Sequence, residues 1–254
     1  MITIRKVLND LGDDAIFKYV PFDSQSLQIL IDKKLYFSPP HFQDDPLDSN
    51  FQIDARYYNS FPNDPLLNSE GINRIALKYH IKKLLNNYGI CCFSKDIKNI
   101  LLWSNHANGG RGFCFIFSKS KLLASLQEKN ETMVVDNVKY NDVVTIEPEK
   151  INKEIVFDEK AIIFNKLPCW KYEAEVRFMC KIITTPLSQE RFFPFNLNSL
   201  HAIVLGQRIE SDNMVTIRNI LKMPEYENLN LFMTGRSEVK PQSIEFLNLT
   251  NRKK

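Results

Sequence analysis

Apolar residues recur along this chain in short runs whose spacing changes between that of strands and that of helices. Residues 15–20, AIFKYV, are rich in aromatic and β-branched types and stop at Pro21, which predicts a strand. The next segment, SQSLQILIDKK, has its leucines on one face and ends in lysines, which predicts a short helix that begins at Ser24. A longer apolar stripe predicts a helix from Ser69 to about Asn87.

The remaining elements follow in no regular order. Strands are predicted at LYFS, ICCFS, GFCFIF, TMVVDNVKY, HAIVLG, NLNLFMT and SIEFLNL, and helices at residues 119–128, at 154–167 and after a cap at Ser211. Because the regular βα alternation of a doubly wound fold is missing, the sequence predicts an α+β fold with a mixed, largely antiparallel central sheet flanked by helices. The length of 254 residues predicts a single domain, residues 1–254.

The segment WKYEAEVRFMCKII carries the densest cluster of charge. Its period-2 alternation predicts one strand, in which Glu173, Glu175 and Arg177 project together from one face. Two like charges at this spacing repel each other, and a nearby cation is what keeps both ionised. The cluster is therefore either an ion-pair network on a solvated face or part of an active site.

A second cluster lies in LLWSNHANGGRG, which contains Trp103, His106 and Arg111. Three of the eight glycines fall within residues 109–112, so this segment is either a tight turn or a place where the backbone approaches a ligand closely. His106 is a candidate acid, base or hydrogen-bond donor. The other histidines are scattered, and no metal site is predicted on them.

The composition of the chain mainly excludes classes of protein. A formal charge of +3 permits an anionic partner without indicating one. Five cysteines without a CxxC spacing favour a reducing compartment. Neither a signal peptide nor an apolar run of membrane-spanning length is visible, so we expect a cytoplasmic protein without a membrane partner. P-loop, GxGxxG, GxSxG and HExxH patterns do not occur.

Seven motifs occur in order along nearly the whole chain: FKYV, KLYFSPPHFQDDPLD, ICCFS, LLWSNHANGGRGFCFIF, VKY, NKLPCWKYEAEVRF and IVLG. Together they resemble a bacterial family of unknown function, numbered twenty-nine seventy-one, whose pattern is YKYR, FNDPFD, CFS, MWSHYA, GFCIxF, VxY and WxYExEWR. This chain departs from the pattern in an extra residue in FQDDPLD, in His106 where the family has Tyr, and in Val20 where it has a basic residue. The resemblance implies a setting in bacterial anti-phage defence, with a partner protein from the same operon.

The layout is also similar, more distantly, to that of ADP-ribosyltransferases, in which an early aromatic or basic strand precedes a late strand bearing ExE. This similarity implies an NAD-consuming effector or toxin that modifies a protein or nucleic acid, or hydrolyses NAD. Cleavage of the nicotinamide glycosidic bond passes through an oxocarbenium-like state, which a carboxylate stabilises. On this interpretation Glu175 stabilises that state, Glu173 activates the acceptor, and His106 completes the catalytic set.

The residues that would hold NAD are aromatic or basic. Tyr19, Tyr36 and Trp103 would stack on nicotinamide or adenine, Trp170 would offer further aromatic surface, and Lys18, Arg111 or Arg177 would meet the pyrophosphate.

Two other classes of function stay open on the sequence. The first is a metal-dependent nuclease or phosphodiesterase that uses the acidic residues Asp44, Asp45, Asp48, Glu173 and Glu175. Acidic residues in such a loop are more often turn-formers, through hydrogen bonds from the backbone to their side chains, than metal ligands. The second class is a non-catalytic sensor or interaction module, in which the Glu/Arg strand is structural.

Overall fold

The computed structural model describes residues 2–43, 45, 47–54, 70–151, 154–185, 188–236 and 244–250. Its strands are β1 (Ala15–Val20), β2 (Lys34–Tyr36), β3 (Phe51–Ile53), β4 (Tyr88–Ser94), β5 (Phe113–Ser118), β6 (Val134–Asn137), β7 (Lys139–Tyr140), β8 (Val144–Ile146), β9 (Glu149–Ile151), β10 (Glu154–Val156), β11 (Asn165–Lys166), β12 (Glu175–Lys181), β13 (Phe192–Pro194), β14 (Leu200–Leu205), β15 (Asn230–Arg236) and β16 (Ile244–Asn248). Its α-helices are α1 (Ile4–Leu11), α2 (Ser24–Asp32), α3 (Glu70–Leu85), α4 (Ile100–Asn105), α5 (Lys119–Gln127), α6 (Glu159–Ile163) and α7 (Ser211–Ile220).

One large sheet organises the described residues. Its eight strands lie in the order β16-β15-β14-β5-β1-β4-β12-β6. Each neighbouring pair is antiparallel except β14 with β15, which run parallel. Helices flank this sheet, which confirms the predicted α+β fold with a mixed, largely antiparallel sheet.

The central strand β5 shows why both faces of the sheet are covered. Phe113, Phe115 and Phe117 belong to one apolar cluster, which also contains residues of α2, α5 and α7. The intervening Cys114 and Ile116 belong to a second cluster, which contains residues of α1 and α4. All six residues of β5 are buried, as expected of a strand that packs on both sides and therefore has an unbroken apolar sequence.

The sheet opens between β1 and β4. In the described chain these strands share a single registered pair, Phe17 with Ser94, whereas β1 pairs with β5 along its whole length. Beyond that pair, the Lys18 side chain crosses the gap, and its Nζ donates to the Cys92 carbonyl oxygen at 3.2 Å. This split leaves room for a cavity within the sheet.

Two predicted elements are wrong in part. The strand predicted from Trp170 begins only at Glu175, because Pro168–Glu173 forms a 3₁₀ turn and Ala174 has a left-handed φ of 44°. The helix predicted over 154–167 is confined to α6, which the Asp158 side chain caps by accepting from the Ala161 amide at 3.0 Å. Short strands lie on both sides of it.

Helix ends differ from the predictions by one or two residues. Asp23, not Ser24, caps α2, since its side chain accepts from the Ser26 amide at 2.7 Å. Ser211 is the first residue of α7 rather than its cap. Ser69 lies outside the described residues, and α3 ends at Leu85. None of the described helices has the length and apolar character needed to cross a membrane.

Candidate functional site

A cavity of about 330 Å³ lies in the split between β1 and β4. It is lined by Phe17, Lys18, Tyr19, Gln43, Asp45, Cys92, Phe93, Ser94, Leu102, Asn105, His106, Lys166, Trp170, Glu173 and Glu175. Its volume is at the small end of the range of about 300–1,000 Å³ that is usual for small-molecule sites. Polar and aromatic side chains share its wall, which is the composition expected of a site that orients a ligand.

Arg177 is fully buried behind this wall and joins two carboxylates. Its guanidinium donates to both oxygens of Glu175, at 2.6 and 3.1 Å, and to both oxygens of Asp48, at 2.8 and 2.5 Å. It also donates to the Ile163 carbonyl oxygen at 2.5 Å. Bidentate pairs of this kind are strong and fix geometry, so Arg177 holds Glu175 in one orientation.

Lys166 ties the second carboxylate to the same network. Its Nζ lies 2.7 Å from Glu173 Oε2, 3.4 Å from Glu175 Oε2 and 3.9 Å from Asp48 Oδ2. The same ammonium lies 4.7 Å from the centre of the Trp170 ring, within range of a cation–π contact. Lys166 sits on the short strand β11, which pairs with β7.

The network sets the charge of the wall. Burial alone would raise the pKa of Glu175, but Arg177 and Lys166 outweigh it and hold this pKa at about 2. Burial alone would lower the pKa of Lys166, but Glu175 and Glu173 raise it above its ordinary value. Three carboxylates face two cations in this network, so its formal charge is negative by one.

His106 and Glu173 form a hydrogen-bonded pair at the edge of the cavity. His106 Nε2 lies 3.2 Å from Glu173 Oε1, and the His106 side chain is 35% exposed whereas that of Glu173 is 6% exposed. A partly exposed imidazole that a buried carboxylate orients is the usual arrangement of a general base. Because Nε2 is engaged by Glu173, Nδ1 is the His106 nitrogen left to exchange a proton with a bound group.

Helix α4 positions this pair. The Asn99 side chain caps the helix by accepting from the Leu101 and Leu102 amides at 3.0 and 3.3 Å. Its amide nitrogen donates to the Tyr172 carbonyl oxygen at 2.5 Å, next to Glu173. His106 follows the last residue of the helix, and its backbone N–H donates to the Leu102 carbonyl. One side chain thus joins the segment bearing His106 to the segment bearing Glu173.

Six of the ten predicted site residues line the cavity: Lys18, Tyr19, His106, Trp170, Glu173 and Glu175. The Tyr19 hydroxyl donates to the Asp96 carbonyl oxygen at 2.6 Å, so this ring is held in place. Glu175 and Arg177 share a strand face as predicted, but Glu173 belongs to the preceding 3₁₀ turn.

The other four predicted residues lie elsewhere. Trp103 packs in the core at 5% exposure, and its indole N–H donates to the Ile97 carbonyl oxygen at 2.9 Å, so its predicted stacking on a ligand does not fit. Arg177 is fully buried and has no exposed surface for a pyrophosphate. Arg111 is exposed and outside the cavity lining. Tyr36 lines a neighbouring cavity.

The acidic loop does not assemble a metal site in the described part of the chain. No group of three or more His, Cys, Asp or Glu side chains there has the spacing to hold a metal ion. Asp48 is bound by Arg177, and Asp45 Oδ1 accepts from the Leu47 amide at 2.9 Å. Asp45 Oδ2 is buried and lacks a hydrogen-bond partner among the described residues, whereas Asp44 lies outside them.

Sequence reasoning missed three parts of the site. Lys166 carried one signal, a lysine two positions after the apolar run AIIF, but nothing linked it to Glu173 and Glu175. Asp48 was considered as a turn residue or a metal ligand, although its partner is Arg177. Tyr140 accepts from the Glu175 amide at 2.8 Å through its hydroxyl. Burial and the adjacent Glu175 raise the pKa of the Cys92 thiol, which argues against a thiolate nucleophile here.

Comparison with known proteins bears on the same segment. Residues 102–178 match the model of a family described as "Protein of unknown function (DUF2971)". No curated protein and no solved structure matches the chain. The matched segment contains His106, Lys166, Glu173 and Glu175, which line the cavity, and Arg177, which is buried behind them. The match over residues 102–178 supports the predicted relationship to the family of unknown function DUF2971.

Proposed function

We propose that this protein consumes NAD by cleaving the bond between nicotinamide and ribose in the cavity between β1 and β4. The observation that carries the proposal is the His106–Glu173 pair, which lies in one cavity with Glu175, a carboxylate whose low pKa keeps it ionised at neutral pH. The ribosyl group then passes to a protein or nucleic acid acceptor, or to water.

Glu175 supplies fixed negative charge. Its low pKa makes it unsuitable as a general acid at neutral pH, but a fixed anion favours the oxocarbenium-like state that forms as the glycosidic bond breaks. Arg177 and Lys166 hold it in place and leave the network one negative charge in excess. This charge distribution suits a reaction in which the substrate becomes more positive at its reacting carbon.

His106 handles the proton. The C1′–N bond breaks, and nicotinamide leaves with the bonding electron pair. An acceptor hydroxyl or water then forms the C1′–O bond, and its proton passes to His106 and on to solvent. On this proposal Glu173, which was predicted to activate the acceptor directly, acts through His106 by orienting the imidazole. Glu173 is therefore a positioning residue.

The rest of the cavity binds the substrate. Lys18 places a cation at the split in the sheet, where it can meet phosphate. The rings of Tyr19 and Trp170 line the same space and offer surfaces for the nicotinamide ring.

The decisive experiment is nicotinamide release from NAD by the purified protein, with and without nucleic acid or cell lysate as acceptor. His106→Gln should lower the rate about a hundredfold or more, as expected for loss of a general base. His80→Gln is the matched control, because His80 is an exposed histidine on α3. If folded wild-type protein released no nicotinamide under any of these conditions, the proposal would be wrong.

The motif resemblance supports a role as a cytoplasmic effector in bacterial anti-phage defence, acting with a partner from its own operon. An enzyme that depletes NAD or modifies an essential acceptor arrests the cell that makes it. Expression of the wild-type chain should therefore stop growth, and His106→Gln should restore it while His80→Gln does not. If growth arrest persisted in His106→Gln, toxicity would not depend on the proposed reaction.

A non-catalytic sensor or interaction module is the second candidate. It is favoured by the complete burial of Arg177, which accounts for Glu175 as a structural counter-ion without any reaction. In that case His106→Gln and wild type behave alike in every cellular assay, whereas substitution of Arg177 lowers thermal stability.

A further inference from the structure

A second cavity, of about 750 Å³, lies beside the first. Helix α2 and the two-stranded sheet of β2 with β13 contribute to its lining. Lys18, Gln43 and Cys92 line both cavities. The Cys92 thiol donates to Gln43 Oε1 at 3.5 Å, and Lys18 Nζ donates to the Cys92 carbonyl oxygen, so these three side chains form a common boundary.

The second cavity contains an aromatic surface. Tyr36 and Phe192 are directly paired across β2 and β13, and their ring centres lie 5.1 Å apart. Both side chains are partly exposed, and the apolar residues Ile29 and Ile90 extend the same lining. Partly exposed rings beside apolar walls are suited to stacking with a flat heterocycle.

The boundary between the cavities carries positive charge. Lys18 lines both cavities. Aromatic residues lie in each of them: Trp170 and Tyr19 in the first, and Tyr36 and Phe192 in the second. A ligand that matches this order has two heterocycles joined by an anionic linker. Because the first cavity is at the small end for ligand sites, a ligand of this kind would have to extend beyond it into the second cavity.

We propose that the second cavity binds the second nucleoside of a dinucleotide, with its base on Tyr36 and Phe192 and its phosphates at Lys18. The identity of the bond that is cleaved rests on the proposed function. The binding of a dinucleotide across the two cavities does not. The substrate class is therefore a dinucleotide rather than a mononucleotide or a free nucleoside.

Calorimetric titration with NAD and with nicotinamide mononucleotide tests this assignment. Tyr36→Leu and Phe192→Leu should each weaken NAD binding by about tenfold, since stacking of a base on an aromatic ring is commonly worth that much. Binding of nicotinamide mononucleotide should stay at the wild-type level, and Tyr36→Phe should keep wild-type affinity for both. Tyr79→Leu is the control, because Tyr79 is 71% exposed on α3.

The outcomes separate the two proposals. Selective loss of NAD affinity in Tyr36→Leu or Phe192→Leu supports the second site even if no nicotinamide is ever released. Equal affinity of both variants and wild type for NAD overturns the second site, and leaves the proposed function intact if nicotinamide release continues. If wild-type protein binds NAD no more tightly than nicotinamide mononucleotide, the second site is also overturned.

Discussion

Among the residues that the structure describes, Arg177 and Arg191 are fully buried, and their charges are compensated in different ways. Arg177 is bound by the carboxylates of Asp48 and Glu175 at the cavity wall. Arg191 pairs with no carboxylate among the described residues. It donates instead to five backbone carbonyl oxygens, those of Phe37, Asn86, Tyr88, Thr184 and Thr185, at 2.9–3.3 Å.

This difference in partners distinguishes an arginine that holds backbone segments together from one that orients a carboxylate at a cavity. Burial lowers the pKa of Arg191, and the carbonyls around it supply dipoles but no net charge. It joins separate segments of backbone and faces no carboxylate that a ligand could reach. Arg177 instead leaves Glu175 ionised and held at a cavity. A buried arginine therefore indicates function only through its partners and through what those partners face.

The largest effect is expected from Arg177→Met. It leaves Asp48 and Glu175 buried with only Lys166 nearby, and breaking a buried ion pair in this way costs about 3–5 kcal/mol. Urea denaturation at pH 7 measures the change in the free energy of unfolding. Arg111→Met removes an exposed arginine and should change it little. If Arg177→Met lowered the free energy of unfolding by less than Arg191→Met does, the carboxylate-paired arginine would not be the more important of the two for stability.

Glu175→Gln should remove stability on the order of 3 kcal/mol at pH 7, since the pKa of Glu175 falls from 4.5 to about 2 on folding. The sign follows from the depressed pKa: this contribution is complete above pH 4.5 and disappears as pH falls through about 2. Wild type should therefore lose stability across this window more steeply than Glu175→Gln. Parallel pH profiles in urea denaturation would show that Glu175 is not the titrating group.

Arg191→Met should cost about 2 kcal/mol, because its carbonyl partners lose donors but carry no charge. Nicotinamide release per folded molecule should be unchanged, because Arg191 does not line the cavity. A loss of release in folded Arg191→Met protein would mean that the backbone it joins also shapes the cavity.

Much of the sheet could be predicted because its strands are apolar and short. β1 and β5 lie within a residue of their predicted bounds, since AIFKYV and GFCFIF are rich in the residue types that strands favour. The break before β12 could not be predicted, because Ala174 adopts a left-handed conformation that an alanine does not signal. Periodicity placed Glu173 in the strand for that reason.

Long-range pairing explains two further features of the site that could not be predicted. Arg177 meets Asp48 from 129 positions away, and His106 meets Glu173 from 67 positions away. Local patterns carry no information on such pairs. Trp103 was assigned to ligand stacking from its residue type alone, although burial and the Ile97 carbonyl satisfy it within the core.

The smallest effect on stability should come from Asn99→Ala, which tests how the cavity wall is held together. Loss of this cap should cost about 1 kcal/mol. The same change removes the bond to the Tyr172 carbonyl and so loosens His106 relative to Glu173.

The maximal rate of nicotinamide release should fall severalfold while the Michaelis constant for NAD stays the same, because binding groups elsewhere are untouched. Asn130→Ala, a substitution of an asparagine outside the cavity lining that donates to the Lys181 carbonyl, should leave both kinetic constants at wild-type values. If Asn99→Ala raised the Michaelis constant alone, α4 would bind substrate and the orientation of His106 would not depend on its cap.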